Sequence, residues 1–339
     1  MADRRSRRDI AVAGLAGAAF AVLVILVSSG ADVDAMTFGD GRLHRAVAQD
    51  LDADDPELQP MIAGSGAALR YGRIALPVTL WTLSGGNHEA MRYVQPAIMV
   101  LCAAGIAMTT RALIPNAPLG VSMAPFLAVG LTLSIAGGFA EPLSVALALF
   151  AIWLVRDGRL WPAAAAFAGA MLARENAGAV LLGVIAWEFF HGRRRAAGVL
   201  LSSAVPVIAW HLVVADRFGF LPLRDPWLLD TGALGLPVVN LVRSLGEVST
   251  GGIVLIAVHL ALGLVAIKLW RSSVIGAAAA ASALPILSVG PFTWHYLGDA
   301  ARLTAFLEVL VILAVMTRTW ERMPADGQAG ALSGQTAAR

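Results

Sequence analysis

Lysine is almost absent from this chain of 339 residues, since Lys268 is the only one. The isoelectric point near 9.1 therefore comes mostly from arginine. The arginines cluster at the ends of apolar runs, where the cytoplasmic loops of membrane proteins carry basic charge. This pattern does not indicate a nucleic-acid partner.

Charged residues and cysteine are also scarce. Charged side chains make up 14% of the sequence, against about 25% in a soluble globular protein. The single cysteine, Cys102, lies inside an apolar run and excludes an intramolecular disulfide framework. With 58% hydrophobic residues and a mean hydropathy of +0.73, the sequence predicts an all-α fold, a polytopic bundle of transmembrane helices.

Several motifs of enzymes are missing. The sequence has no P-loop, no dinucleotide glycine motif, no HExxH helix, no paired cysteines and no GxSxG turn. His259, inside an apolar run, is typical of a packing histidine with satisfied ring nitrogens. No metal-ligand spacing is found among the histidines, which are His44, His88, His191, His211, His259 and His295. We therefore predict no metal site and no cofactor.

Apolar runs predict about ten spans. The first, 10–29, follows a basic tail (1–9) and is long enough to cross the ~30 Å hydrocarbon core, so we expect it to be retained. The tail 323–339 is predicted to be disordered, which leaves 10–322 as one transmembrane domain. The later spans are predicted at 92–110, 118–137, 141–156, 160–174, 177–191, 195–215, 250–270, 273–290 and 300–318.

Loop charge predicts the topology. Basic loops should be cytoplasmic, which places both termini in the cytoplasm and 31–91 outside as the first extracytoplasmic loop. The apolar piece 74–83 then begins and ends outside, so we interpret it as an interfacial helix. Acidic residues at 50–57 are interpreted as a solvated surface of this loop. The alternative is eleven spans.

This topology places many polar residues near the outer face, although none of them was used to derive it. Ionisable groups at membrane depth are costly and usually mark a site or a pathway. The residues are Asp40, His44, Arg73, His88, Glu141, Arg174, Glu175, His295 and Asp299. Their convergence on one side predicts a functional site there.

Each candidate has an ordinary structural interpretation as well. Asp40, between two glycines, is either a general base or a turn aspartate, and His44 would share its helix face. Arg70 and Arg73 would either bind phosphate oxygens or anchor the helix in lipid headgroups.

The remaining candidates lie at the ends of apolar runs. Glu141 is either a carboxylate at a cavity rim or a partner of its helix dipole. Arg174 and Glu175 form either a buried ion pair or a simple turn. His295 lies in an aromatic loop that an interfacial belt would explain.

Four stretches in order resemble the GT-C superfamily of integral-membrane glycosyltransferases, in particular compact bacterial members that use a polyprenyl-phosphate-linked sugar. GDGRLHRAVAQDL (39–51) is similar to YDGQFYYRIALDP in those proteins, and RYGRIALPVTLWTL (70–83) to RYQRILYPLLAWLL. FAEPLSVALALFAIWLVRDGRLW (139–161) resembles LTEPLALALLLAGLLLLRRGRW, and AMLARENAGAV (170–180) resembles AALTRETALL. Departures are Leu43, His44 and Arg45 at aromatic positions and Asn176 in place of threonine.

The resemblance implies a reaction at the extracytoplasmic face of a bacterial plasma membrane. Asp40 would be the catalytic base, and Arg73, Arg174 and Arg70 would bind the donor phosphate. The partners would be a polyprenyl-phosphate sugar, membrane lipids and an acceptor that is an envelope glycan, lipid or protein. The chemistry requires no metal, although a divalent ion is not excluded. The substrate cavity would be lined by His44, Glu141, Glu175, His88 and His295.

Two other functions remain open at this stage. A non-enzymatic lipid or solute transporter, or a flippase, predicts charged residues near the middle of spans and inverted repeats. A membrane-embedded scaffold predicts no cavity behind the acidic loop. Polar groups at span ends favour the enzyme.

Overall fold

The computed structural model describes residues 2–30, 32, 35, 38–64, 66–231, 235–295 and 297–322. The α-helices are α1 (Ala2–Ser29), α2 (Asp40–Gln49), α3 (Gln59–Ala63), α4 (Ala67–Gly72), α5 (Ala75–Ser84), α6 (His88–Leu113), α7 (Val129–Gly137), α8 (Glu141–Arg156), α9 (Leu160–Ala173), α10 (Ala177–Phe190), α11 (Arg194–Leu201), α12 (Ala204–Phe218), α13 (Pro226–Asp230), α14 (Val239–Glu247), α15 (Thr250–Leu269), α16 (Val274–Ser282), α17 (Pro291–His295) and α18 (Leu297–Arg322). Short 3-10 helices cover Leu119–Leu127, Pro222–Arg224 and Leu284–Ser288. The prediction of an all-α fold is confirmed. The predicted disordered tail, 323–339, lies outside the described residues.

Five helices in this part of the chain are long and apolar enough to cross a membrane, namely Ser6–Ser29, His88–Leu113, Arg194–Phe218 (α11 and α12 taken together), Thr250–Leu269 and Gly298–Trp320. Leu119–Leu127 and Val129–Gly137 form a sixth candidate bent by 80°. The bend lies at Ala128, three residues after Pro125, and a proline disfavours the continuous helix predicted at 118–137. Helices of 14 residues, such as α9 and α10, reach about 21 Å, so the count of ten spans stays a prediction.

The distribution of polarity is that of a membrane protein. In α12 the side chains of Val205, Ile208 and Leu212 are more than half exposed. In α14 the buried residues are Asn240 and Ser244, while Val239, Val242 and Leu245 are exposed. Apolar surface outside and polar contacts inside suit helices that face lipid.

The most buried of the five long helices is α18. It contacts α7, α15 and α16. Gly130 of α7 allows this close approach, because a Cβ atom there would lie 1.8 Å from the carbonyl oxygen of Ala301. The first turns of α18 are thereby held at the centre of one end of the bundle.

The predicted loop 31–91 contains α2 to α5, and α1 begins at Ala2 within the predicted tail. The solvated surface predicted for residues 50–57 is wrong for Asp50, which is buried. Its carboxylate accepts hydrogen bonds from the backbone N–H of Asp54 at 2.9 Å and from Gln59 Nε2 at 2.5 Å. Tyr71 Oη donates to the Asp50 carbonyl at 2.6 Å. Asp50 is therefore a structural residue that stabilises the fold of the loop. The sequence alone did not distinguish it from the other acidic residues at 50–57.

Candidate functional site

Five polar segments from distant parts of the chain converge at one end of the bundle. They come from the start of α2, the end of α4, the start of α8, the turn between α9 and α10, and the start of α18. We call the cluster of Arg70, Arg73, Arg174 and Arg302 the arginine site, and all four side chains are buried. It borders a cavity of about 200 Å³ that is lined by Asp40, Leu69, Arg70, Arg73, Arg174, Glu175, Trp227, Leu228, Phe292, Thr293, Asp299, Arg302 and Leu303.

Asp40 bridges two of these arginines. Its Oδ2 atom lies 2.9 Å from Nη1 of Arg70 and 2.7 Å from Nη2 of Arg302. Burial alone would raise the pKa of the Asp40 carboxyl, but the charges of Arg70 and Arg302 outweigh burial and hold that pKa well below its usual range. Asp40 is therefore a carboxylate at any physiological pH.

The two glycines beside Asp40 have separate structural reasons. Gly39 has φ +50°, a left-handed conformation that favours glycine. A Cβ atom on Gly41 would lie 2.1 Å from the carbonyl oxygen of Gly137. Asp40 is the first residue of α2, so the glycines fix the point where the carboxylate enters the cavity.

The buried side-chain amide of Gln95 holds the turn around Asp40 in place. Nε2 of Gln95 donates to the carbonyl oxygens of Gly41 at 2.8 Å and Gly138 at 2.7 Å. Gln95 is fully buried in α6. It therefore ties the start of α2 to the turn before α8.

We expect Gln95→Leu to lower the free energy of unfolding, because two buried carbonyl groups lose their donor at about 1–3 kcal/mol each. The melting temperature of the detergent-solubilised protein measures this. The exposed amide of Asn116 supplies the matched control, and Asn116→Leu should leave the melting temperature unchanged. Equal melting temperatures for Gln95→Leu and the wild type would show that this clamp does not stabilise the fold.

Arg302 connects the carboxylates of the site. Its Nη2 binds Asp40, its Nε lies 3.1 Å from Glu141 Oε1, and its Nη1 lies 3.4 Å from Asp299 Oδ1. The guanidinium carbon also lies 3.8 Å from the ring centroid of Phe139, a cation–π contact. Arg302 thus occupies a fixed position between three acidic residues.

The other two arginines bind acidic partners of their own. Arg73 forms a forked pair with Glu175, with Nε–Oε2 2.9 Å and Nη2–Oε1 2.6 Å. Arg174 Nη2 lies 2.7 Å from Glu141 Oε1. The Nε atom of Arg174 is buried and has no hydrogen-bond partner among the described residues, so it remains available as a donor.

The predicted cavity histidines do not line this cavity. His44 is buried, and burial lowers its pKa to about 3, which makes it a neutral ring behind Asp40. His88 is exposed and lies beside Arg42 and Arg92 in a different depression. His295 borders a neighbouring depression with Arg243. Topology predicts the end of the bundle at which a residue lies, but not the cavity that it faces.

The structure brings together Asp40, Arg70, Arg73, Arg174 and Glu175, with Glu141 directly behind the two arginines that it binds. The sequence analysis did not identify Arg302 as a site residue. The one indication was an isolated arginine five residues after the start of the last helix.

Apolar side chains form the remaining wall of the cavity. Trp227 packs edge-on against Phe292, with ring centroids 5.8 Å apart. Asp225 fixes this segment, since its carboxylate accepts the backbone N–H of Leu69 at 3.2 Å and of Trp227 at 3.0 Å. A polar floor and an aromatic wall suit an amphiphilic ligand.

A second ionisable pair lies near the middle of two long helices. His259 Nδ1 is 2.8 Å from the Leu255 carbonyl oxygen, and Nε2 is 3.1 Å from Glu308 Oε1 and 2.8 Å from Thr304 Oγ1. His259 is buried with satisfied nitrogens, as a packing histidine would be, but Glu308 makes the contact an ionisable pair.

Within the described ranges, no group of three or more His, Cys, Asp or Glu side chains is arranged to hold a metal ion. The donor set of the arginine site is instead suited to an anion. No protein-family model, curated protein or solved structure matches this chain.

Proposed function

We propose that this chain is a GT-C-type integral-membrane glycosyltransferase of about ten spans, with both termini cytoplasmic, in a bacterial plasma membrane. It would move a sugar from a polyprenyl-phosphate donor to an acceptor hydroxyl at the extracytoplasmic face. The observation that carries the proposal is a carboxylate, Asp40, at a cavity lined by four buried arginines. Such a site can accept a proton at one atom and stabilise a departing phosphate beside it.

The reaction balances with groups of this site alone. The acceptor oxygen forms a bond to the anomeric carbon, its proton passes to Asp40, and the bond from that carbon to the phosphate oxygen breaks. The bonding electrons leave with the polyprenyl phosphate. Attack from the face opposite the leaving group gives inversion. Arg70 and Arg302 both contact Asp40 through its Oδ2 atom, so Oδ1 is the oxygen that the acceptor would approach.

The ion pairs make Asp40 a weak base until a donor binds, since a general base works best with a pKa near the working pH. Four arginines in this site face four carboxylates, Asp40, Glu141, Glu175 and Asp299, so their charges balance. An incoming phosphate competes for Arg70 and Arg302. As these arginines turn to the phosphate, they stabilise the Asp40 carboxylate less, and its pKa rises. Donor binding would thus prepare the base.

The aromatic wall suits the lipid part of the donor. Trp227, Leu228 and Phe292 line the same cavity as the arginines. An isoprenoid next to the phosphate would contact this wall, while the sugar reaches Asp40. A water-soluble sugar phosphate would leave the apolar wall without a partner.

A transporter is the second candidate, because His259 and Glu308 pair near the middle of α15 and α18. Ionisable groups at that depth often belong to ion or proton pathways. This pair lies apart from the arginine site, and the carboxylate–arginine cavity is better explained by group transfer. A scaffold would have no use for such a cavity.

The test is deletion of the gene in its native host, followed by mass spectrometry of envelope glycolipids. We expect an envelope glycan shortened by one sugar and accumulation of a polyprenyl-phosphate sugar. Restoring the wild-type gene should reverse both changes. Unchanged glycans with a solute-uptake defect would favour the transporter and contradict the enzyme.

A further inference from the structure

A second cavity lies at the end of the bundle opposite to the arginine site. Helices α8, α10 and α18 run from one end to the other, and Thr317 lies about 22 Å along α18 from Arg302 at 1.5 Å per residue. We call this space, of about 350 Å³, the end cavity. It is lined by Val155, Arg156, Trp187, Glu188, Arg193, Ser272, Ser273, Val274, Ile275 and Thr317.

The end cavity has one positive charge in excess. Glu188 is buried and forms a forked pair with Arg193, with Nε–Oε2 2.7 Å and Nη2–Oε1 2.8 Å. Arg156 donates to the carbonyl oxygen of Leu113 at 2.7 Å, and among the described residues it has no acidic partner. Its guanidinium keeps its charge for a ligand.

Two serines and the start of a helix also line the end cavity. Ser272 and Ser273 line the cavity with the first residues of α16. The Ser273 hydroxyl accepts the backbone N–H of Gly276 at 3.1 Å. The N–H groups that precede Gly276 in this first turn have no intrahelical acceptor, as at the start of any α-helix. The Ser272 hydroxyl donates to the carbonyl oxygen of Leu269 at 2.6 Å, so the donors that suit phosphate oxygens are the Arg156 guanidinium, the Ser273 hydroxyl and the helix start.

An apolar groove adjoins the end cavity. It has a volume of about 390 Å³ and is lined by Trp187, Phe190, His191, Trp270 and Arg271. Trp187 belongs to both spaces, so the polar cavity and the aromatic groove are adjacent and share this wall. Phe190 is 68% exposed, and its ring meets Trp270 edge-on at 6.0 Å. The groove is therefore open at the outer surface of the bundle.

We propose that the end cavity and this groove form a binding site for one anionic phospholipid, with the phosphate beside Arg156 and an acyl chain along the groove. The excess charge matches an anion, and the shared Trp187 wall matches a molecule with a polar head and an apolar chain. Free phosphate would fill the cavity but leave the groove empty. Glu188, at the cavity floor, favours a headgroup whose hydroxyls can donate to it.

Phosphatidylglycerol added to the detergent-purified protein tests the site by native mass spectrometry. Arg156→Gln should weaken its dissociation constant about tenfold, as expected when one charge-assisted contact is lost. Ser272→Trp should weaken it similarly by filling the cavity without a change of charge. Arg195→Gln is the matched control, because Arg195 is exposed on the neighbouring segment and outside the lining; its affinity should equal that of the wild type.

Four outcomes would overturn the proposal. Equal weakening by Arg195→Gln would mean that only the general positive charge attracts the lipid. If Arg156→Gln and Ser272→Trp both keep the wild-type melting temperature and both bind phosphatidylglycerol as tightly as the wild type does, the lipid binds elsewhere. Competition by inorganic phosphate at the affinity of the lipid would indicate a site for a free anion. Weaker binding of phosphatidylcholine than of phosphatidylglycerol is expected, and equal binding would contradict selection for net charge.

Discussion

Asp40→Asn is expected to abolish sugar transfer while the protein stays folded in the membrane. Asparagine keeps the shape of the side chain but cannot take the acceptor proton. Loss of a general base typically costs about 10²–10⁴-fold in rate. The measurement is transfer of a labelled sugar from membranes loaded with polyprenyl-phosphate sugar, with the melting temperature followed in parallel.

Two variants make this result specific. Asp52→Asn changes an exposed aspartate of the same loop, and it should transfer at the wild-type rate. Asp40→Glu keeps the carboxylate but displaces it, so a low residual rate is expected. Full activity of a well-folded Asp40→Asn variant would eliminate Asp40 as the base.

The helices could be predicted from the sequence because apolar runs of membrane length are unambiguous. Helices at 10–29, 250–270 and 300–318 occur where the sequence predicts them. The run 118–137 has the same composition but is broken at Ala128, after a 3-10 helix that contains Pro125, and a proline disfavours a continuous α-helix because it lacks the N–H. Hydropathy records which residues avoid water and does not record such a break.

The site could be predicted only in part, for a different reason. Asp40, Arg70 and Arg73 were found because they stand in a polar loop, where each charge is conspicuous. Arg302 is 262 positions from Asp40 in the chain, and its apolar neighbours make it look like the end of a span. Such long-range pairing depends on how α18 packs against α7, and nothing in the local sequence encodes it.

Arg302→Gln is expected to reduce transfer by about 10²–10³-fold, the usual effect of losing one preorganised donor to a developing anion. Glutamine removes the charge that would stabilise the departing phosphate in the proposed reaction, and it also removes the cation that binds Asp40 and Glu141. Arg302→Lys keeps the charge without the planar fork, so we expect a folded protein with intermediate activity. Arg159→Gln, at an exposed arginine paired with Asp157, is the control and should be fully active.

The pH profile separates the two roles of Arg302. As the proposed general base, Asp40 would act when deprotonated, so the acid limb of log kcat/KM should follow the pKa of that carboxyl in the free enzyme. In the wild type, Arg70 and Arg302 hold this pKa well below its usual range, and the limb should lie below the accessible pH. Without Arg302 the carboxylate loses one of its two cationic partners, its pKa rises, and the acid limb moves to higher pH. A lower rate with no movement of the limb would mean that Arg302 acts on the phosphate alone and does not control the base.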